Sequence, residues 1–414
     1  MKFDLSHPLF QAALPVLEHI ESHGYEAYFV GGCVRDTVLD LPIHDIDIAS
    51  SATPDEIETI FTHTFEVGKK HGTIIVLHDN IPYEITTFRT EGTYSDFRRP
   101  DDVTFVRNLE EDTLRRDFTI NALAFDHSGN LYDYHDGMTD MAASLLRAVG
   151  NATDRFNEDA LRMLRAIRFA SQLDFDIETE TFSALQNMAP LIEHVSIERI
   201  RIEVSKYLQG NYFPKHYQQL TDSQLVNYMP LLKQSEINQA LKQMANVLNP
   251  LIEQEIVRDE RLCWALMLYY LDSRSSKVSR KILRTWKHSN QFIQDVDAMI
   301  KLLEVYEANS LDLWTIYQYP KDIVDLIDQF MTANSHSQAG QGVKLYEELP
   351  IKTRTELAMN GGQLMEYLGM SKGTPLIGCL IESLELQVVT KQLPNETSVL
   401  ANYAQKYVQN ESNA

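Results

Sequence analysis

The rhythm of hydrophobic positions changes near residue 150. Before it, short apolar runs with strand character alternate with brief helical segments. After it, apolar residues recur every three or four positions almost without a break. Residues 9–23 have the spacing of an amphipathic helix, stopped at Gly24. YFVGG, from Tyr28 to Gly32, reads as a strand entering two glycines. Residues 34–41 read as a helix, and DIDIA, from Asp45 to Ala49, alternates with a period of two. Thr53-Pro54-Asp55-Glu56 is a helix start, with Thr53 as N-cap, Pro54 in the first turn and Glu56 at the third position. GTIIVLH and YEITTF predict a hairpin across Asp79-Asn80. Beyond Thr153, helices are expected over 154–173, 178–189, 196–208, 235–248 and 278–286, with joints at Pro190, Gly210 and Pro250. The expected fold class is α+β: a small N-terminal α/β head (1–151), then an all-α neck (152–212), body (213–320) and tail (321–414).

A chain of 414 residues is long enough for two to four domains. Hydrophobic residues make up 44% and charged residues 23%, which excludes wholesale disorder and fibrous repeats. The charge sum, 37 minus 59, is -22 and opposes non-specific coating of nucleic acid, while leaving room for a local basic patch. Cys33, Cys263 and Cys379 are too scattered for a disulfide framework or a CxxC metal site and suit a reducing compartment. Asp4 interrupts the apolar core that a signal peptide needs, and no apolar run approaches the ~20 residues of a membrane span. A cytoplasmic protein without membrane contact is expected, and a homodimer is compatible with the sequence.

The carboxylates bring in chemistry. Asp45 and Asp47, at i and i+2 of the expected strand, leave one face together while Ile46 and Ile48 point to the core. Two such carboxylates repel unless a cation lies between them. A lone DxD is most often a solvated strand face. Here Gly31-Gly32-Cys33-Val34-Arg35-Asp36 precedes it, a strand–glycine–helix turn whose bare backbone can approach phosphate. Glu84 follows in Tyr83-Glu84-Ile85-Thr86, an apolar strand that ordinarily avoids charge. Together these suit nucleotidyl transfer with two Mg²⁺ ions ~3.5–4 Å apart.

GGCVRD, DID, RRDFTINALAFD (Arg115 to Asp126), EDALRMLRAIRFA (Glu158 to Ala170) and SIERIRIE (Ser196 to Glu203) stand in one order over the first half of the chain. That series resembles the polymerase β-like nucleotidyltransferase superfamily, and within it the class II tRNA nucleotidyltransferases, the bacterial CCA-adding enzymes. PIKTRTELAMNGGQLM extends the likeness more loosely. The resemblance implies addition of C, C and A to the 3′ end of tRNA from CTP and ATP. It makes Asp45 and Asp47 the metal ligands, Glu84 the third catalytic carboxylate, and Gly31, Gly32 and Arg35 the triphosphate cradle, with Asp117 in the nucleotide site. It also predicts two glycines in Asp133-Tyr134-His135-Asp136-Gly137, where this chain has one.

Beside a phosphate site, Arg116 is expected to grip the triphosphate bidentately, and Asn121 to meet a ribose hydroxyl. Asp159 and Arg162, three apart on an expected helix, share a face with Arg165 and Arg168. Surface ion pairs are the plain alternative. Yet cytosine and adenine both present an amino donor beside a ring-nitrogen acceptor, which one carboxylate and one guanidinium match. Guanine and uracil reverse both signs, and each unmade buried hydrogen bond costs ~1–3 kcal/mol. By resemblance Asp159 and Arg162 do this reading, and Arg165 and Arg168 belong to the same pocket. The polar segment 91–105, with Arg98 and Arg99, reads as a mobile loop, which in the family serves the switch from C to A.

Arg274, Lys277, Arg280, Lys281, Arg284 and Lys287 fall mostly at helical spacing beside Ile282 and Trp286. A charge run is commonly just a solvated face. In so acidic a chain this one is a candidate for the phosphates of the tRNA acceptor and T arms. The rival readings are an A-adding or CC-adding enzyme and a poly(A) polymerase, the last generally basic. An RNA-binding relative without catalysis would be expected to lack Asp45, Asp47 or Arg162. A small-molecule nucleotidyltransferase would need no helical extension.

Overall fold

The computed structural model describes residues 1–92, 102–271 and 275–413. Arg98, Arg99 and Arg274 therefore lie outside the described residues. The chain forms two compact units, residues 1–245 with 285–287, and residues 246–284 with 288–414.

The first unit begins with α1 (Pro8–Ser22), whose buried face of Phe10, Ala13, Val16, Leu17 and Ile20 packs on a sheet. Phe10 meets Phe29 edge-on at 4.8 Å. The strands are β1 (Ala27–Val30), β2 (Asp47–Ser50), β3 (Thr64–Gly68), β4 (Thr73–His78), β5 (Ile81–Thr87), β6 (Arg89–Glu91), β7 (Val103–Phe105), β8 (Ala124–Phe125) and β9 (Leu131–Tyr132). Seven of them form one sheet in the order β3-β4-β5-β2-β1-β8-β9, and β6 pairs with β7 apart from it. Between strands lie α2 (Gly32–Val38) and α3 (Pro54–Ile60), then α4 (Leu109–Thr113) and α5 (Gly137–Ala142). The capping box at Thr53 and Glu56 forms in full. Asp79 and Asn80 both take positive φ, 50° and 63°, as the tight turn between β4 and β5 demands.

Two expectations for the head change. The strand expected from Asp45 starts at Asp47, because β1 ends opposite it at Val30 and the ladder has no partner for residues 45 and 46. Ile46 is accordingly half-buried, whereas Ile48 is in the core. Where a second glycine was expected, Asp136 occupies the left-handed region at φ 59°, which aspartate tolerates better than most residues.

The helical part of this unit opens with α6 (Ala152–Glu158) and α7 (Leu161–Leu173), and the short strands β10 (Leu145–Leu146) and β11 (Asp176–Ile177) pair in parallel. The single helix expected over 154–173 is thus two, broken at Asp159, whose φ of -137° and ψ of 104° are extended. After α8 (Thr179–Met188), Pro190 sits in a 3-10 turn, and α9 (Ile197–Leu208) lies against α7. At Gly210 a Cβ would stand 2.4 Å from the Ser171 carbonyl oxygen, so only glycine lets the chain leave α9 there. Pro250 is no joint: it lies inside the helix Gln234–Glu253.

The second unit is helical. Helix Glu260–Tyr269 buries everything from Leu262 to Tyr269, including Trp264, and packs on Asn290–Glu307. Lys321–Ala333 packs on Asn290–Glu307 in turn, and Pro375–Val389 pairs with Thr397–Asn413. Gly210→Ala is expected to cost about 2 kcal/mol, because the added methyl must displace backbone. Urea denaturation monitored by circular dichroism would show the loss, and an unchanged midpoint would refute it.

Candidate active site

The site begins where β1 runs into Gly31. This residue has φ 73° and ψ -130°, a conformation open to glycine, and opens α2. A Cβ at Gly31 would sit 3.6 Å from Asp47 Oδ2 and 3.7 Å from Arg116 Nη1. The bare turn therefore passes between a carboxylate and a guanidinium. One turn along α2, Arg35 is held at 2.7 Å by Asp36, and its Nη1 donates to Asn121 Oδ1 at 2.8 Å.

Asp47 begins β2 and is paired in parallel register with Glu84 of β5, while Asp45 lies just outside the strand. The Asp47 carboxyl is pushed up to about 6 by the protein crowded around it, then by the charges of Asp45 and Glu84, with Arg116 opposing. One edge of the side chain remains open. This is an anionic pair that a divalent cation would relieve. Among the described residues no three His, Cys, Asp or Glu converge as an all-protein cage. Two carboxylates beside a phosphate-binding turn are nonetheless the donor set magnesium takes when substrate phosphates complete its shell.

Asp45 and Asp47 line a cavity of about 740 Å³ together with Gly31, Gly32, Arg35, Arg116, Asp117, Asn121, Asp159, Arg162, Arg165 and Arg168. The residues read from sequence as a nucleotide site thus converge in one place. Glu84 is outside the lining and touches the chemistry through its charge on Asp47. That volume suits one nucleotide.

Asp159 and Arg162 both reach this cavity, but not as a row on one helix. Asp159 ends α6, and its Oδ1 caps α7 by accepting from the Leu161 N–H at 3.0 Å. Its Oδ2 accepts from Arg199 Nη2 at 2.6 Å. Arg162 donates to Glu158 at 2.5 Å and to the Arg115 carbonyl at 2.7 Å. Arg165 pairs with Asp117 at 2.5 Å. Burial raises the Asp117 carboxyl, but Arg165, Asn121 and Arg162 more than offset this and hold it well below the usual range. Arg168 pairs with Glu203 of α9 at 3.1 Å. Asn121 joins Arg35 to Asp117, to which its Nδ2 donates at 3.0 Å. Arg116 is held by Asp112 at 3.3 Å, and its buried Nε has no hydrogen-bond partner among the described residues.

His44, Arg115, Leu161, Phe169, Gln172, Arg199 and Lys206 also line the cavity. Sequence reasoning gave them no individual role. Arg199 sits in the SIERIRIE run, yet nothing in its spacing shows that it would meet a carboxylate 40 residues earlier. The basic run is only partly a stripe. Lys277, Arg280, Lys281 and Arg284 are exposed on the helix Ser276–Thr285, with Ser279, Ile282 and Leu283 buried. Arg280 is tied at 2.7 Å to Asp297, which Lys301 also reaches at 2.9 Å. Trp286 is buried and donates to the Pro230 carbonyl, and Lys287 lies past the helix end with φ 58°.

Proton and metal linkage test the carboxylate pair. Asp47 ionises in the folded chain near pH 6, against 3.8 for a free carboxyl, so its unfavourable charge is fully present above about pH 6. The cost disappears as pH falls through 6 towards the unfolded value. Without divalent ions at pH 8, Asp47→Asn should raise the melting temperature, and it should abolish any further rise on adding MgCl2. Differential scanning fluorimetry reads both, and a lower melting temperature with the Mg²⁺ response intact would contradict the arrangement.

Comparison with known proteins places this geometry. Residues 27–147 match the model of the poly A polymerase head domain, and residues 256–404 match a tRNA nucleotidyltransferase domain 2 model. A CCA-adding enzyme from Ligilactobacillus salivarius is 42% identical over 97% of this chain and 97% of its own length. One from Streptococcus mutans is 41% identical over 96% and 98%. The crystal structure of the Bacillus stearothermophilus CCA-adding enzyme in complex with CTP superimposes with a TM-score of 0.87 at 34% identity, covering 98% of this chain and 100% of that one. The Thermotoga maritima CCA-adding enzyme complexed with tRNA shares the fold, with a TM-score of 0.64 at 20% identity, over 98% and 97%. On this likeness over nearly its whole length, the chain belongs to the CCA-adding enzyme family of tRNA nucleotidyltransferases.

Proposed function

We propose that this chain adds C, C and A to the 3′ end of tRNA, taking CTP and ATP and releasing pyrophosphate, with protein side chains in place of a template. The carrying observation is that Asp45 and Asp47 share one cavity with Asp159 and Arg162. A single nucleotide can then have its triphosphate at one group and its base edge at the other. The relatives' shared name favours full CCA addition over A-only addition or poly(A) synthesis.

In this reading the terminal tRNA hydroxyl attacks the α-phosphorus and gives up its proton to solvent, a new O–P bond forms, and the bond to pyrophosphate breaks. Asp45 and Asp47 would hold Mg²⁺ with Glu84 reinforcing their charge. The two ions would make the hydroxyl a better nucleophile and neutralise the leaving group. Gly31, Gly32, Arg35 and Arg116 orient the triphosphate. Asn121, with one amide hydrogen and one carbonyl lone pair beyond its bonds to Asp117 and Arg35, serves a ribose hydroxyl. The Asp159 carboxylate accepts from the amino group of C or A, and Arg162 donates to the neighbouring ring nitrogen. Arg165 and Arg168 complete the pocket. Functionally, residues 1–151 supply the transfer site, 152–212 the base reader, and 213–320 with 321–414 the RNA-binding parts. No described helix is long and apolar enough to cross a membrane. Work in the cytoplasm belongs to the same proposal.

Incubation with CTP, ATP and a tRNA lacking its terminal CCA should yield a product three nucleotides longer. Asp45→Ala should abolish every step, and Arg162→Ala should admit wrong bases or suppress incorporation. A faithful, fully active Arg162→Ala would refute the reading of base edges. Charge reversal of Lys281 and Arg284 should weaken tRNA binding and lower its salt slope by about one for each phosphate no longer neutralised, leaving CTP affinity intact. Filter binding at graded salt measures it, and unchanged tRNA affinity would remove this helix from the interface.

A further inference from the structure

We infer that Phe169 is a positioning residue, its ring serving as a common seat for three guanidiniums that prepare the cavity for a triphosphate. The inference rests on the nucleotide-site reading above and adds a residue to which that reading gives no task.

Phe169 lines the cavity and is 5% exposed. Arg168 lies 4.2 Å from its ring centroid, Arg35 5.0 Å and Arg165 5.3 Å. Phe118 packs edge-on against the same ring at 5.9 Å, which fixes its orientation. The three cations come from two places: Arg35 from α2, and Arg165 and Arg168 from α7, the helix that also carries Arg162. Their carboxylates are Asp36, next to Arg35 on α2, and Asp117 and Glu203 on two further stretches of chain. Asp117 and Glu203 each attract both Arg165 and Arg168, and Asn121 ties Arg35 to Asp117, while the guanidiniums repel one another. The negative faces of one aromatic ring attract all three and hold them together, each contact contributing ~0.5–2 kcal/mol. Burial first, and then the charge of Arg165, pushes Arg168 down to about 10.

A ring in this role acts on the triphosphate and leaves base choice alone. Replacing Phe169 with mono-, di- and trifluorophenylalanine weakens the ring's negative face at nearly constant shape. Isothermal titration should show the Kd for CTP and for ATP rising together with each fluorine, reaching about tenfold. The preference for C over U and the affinity for tRNA should stay unchanged. Phe169→Tyr should bind CTP as the native chain does, and Phe169→Leu should bind it at least tenfold more weakly. A flat fluorine series would overturn the inference, as would a series in which the preference for C over U or the affinity for tRNA falls in step with CTP affinity. Failure of the unsubstituted protein to extend tRNA would strike the nucleotidyltransferase reading itself, a result separable from the titrations.

Discussion

Charges crowded into one cavity must be paired, and the structure is organised around meeting that demand. Arg35, Arg162, Arg165, Arg168 and Arg199 each carry a carboxylate partner, from Asp36, Glu158, Asp117, Glu203 and Asp159. Removing one member of such a pair leaves the other stranded, a loss of several kcal/mol where burial is deep. The network therefore holds geometry as much as it supplies energy. It fixes where donors point before a substrate arrives, so little reorganisation is left to the moment of reaction. Asp45 and Asp47 are the exception, a carboxylate pair whose internal cation, Arg116, leaves the Asp47 charge unfavourable. In the proposed function, that imbalance is what a divalent ion at this edge of the cavity would relieve.

The same pairing explains how a chain of net charge -22 handles polyanions. Acidic residues outnumber basic ones over the chain, whereas seven arginines line one cavity and Lys277, Arg280, Lys281 and Arg284 are exposed on one helix. Local potential governs a contact made within a few ångströms, since salt screens the rest beyond ~8 Å at physiological ionic strength. The global charge then discourages loose attachment to arbitrary nucleic acid without weakening the specific site.

Legibility in the sequence follows the range of the forces involved. The Thr53 capping box and the turn at Asp79-Asn80 depend on neighbours within four residues, and both form as expected. The change from strands to helices near residue 150 is equally plain, because amphipathic period is a local property. Asp45 and Asp159 differ from expectation in detail for a common reason. Whether a strand or helix continues through a residue depends on partners distant in sequence, here the end of β1 for Asp45 and Arg199, 40 residues along the chain, for Asp159. Pro250 stays inside its helix, where Leu248 and Leu251 beside it are buried. The roles of Arg199 and Phe169 are invisible in the sequence, since each rests on contacts across 40 or more residues, Arg199 with Asp159 and Phe169 with Arg35.

The central claim is that Asp159 senses the exocyclic amino group of the incoming base. A thermodynamic cycle tests it directly: single-turnover addition to tRNA of CTP and of the 2-pyrimidinone ribonucleoside triphosphate, which lacks only that amino group, by the native chain and by Asp159→Ala. The native chain should penalise the analogue by about thirtyfold or more, the loss of one hydrogen bond to a charged group, and the penalty should nearly vanish in Asp159→Ala. An equal penalty in both proteins would mean that Asp159 does not read the base.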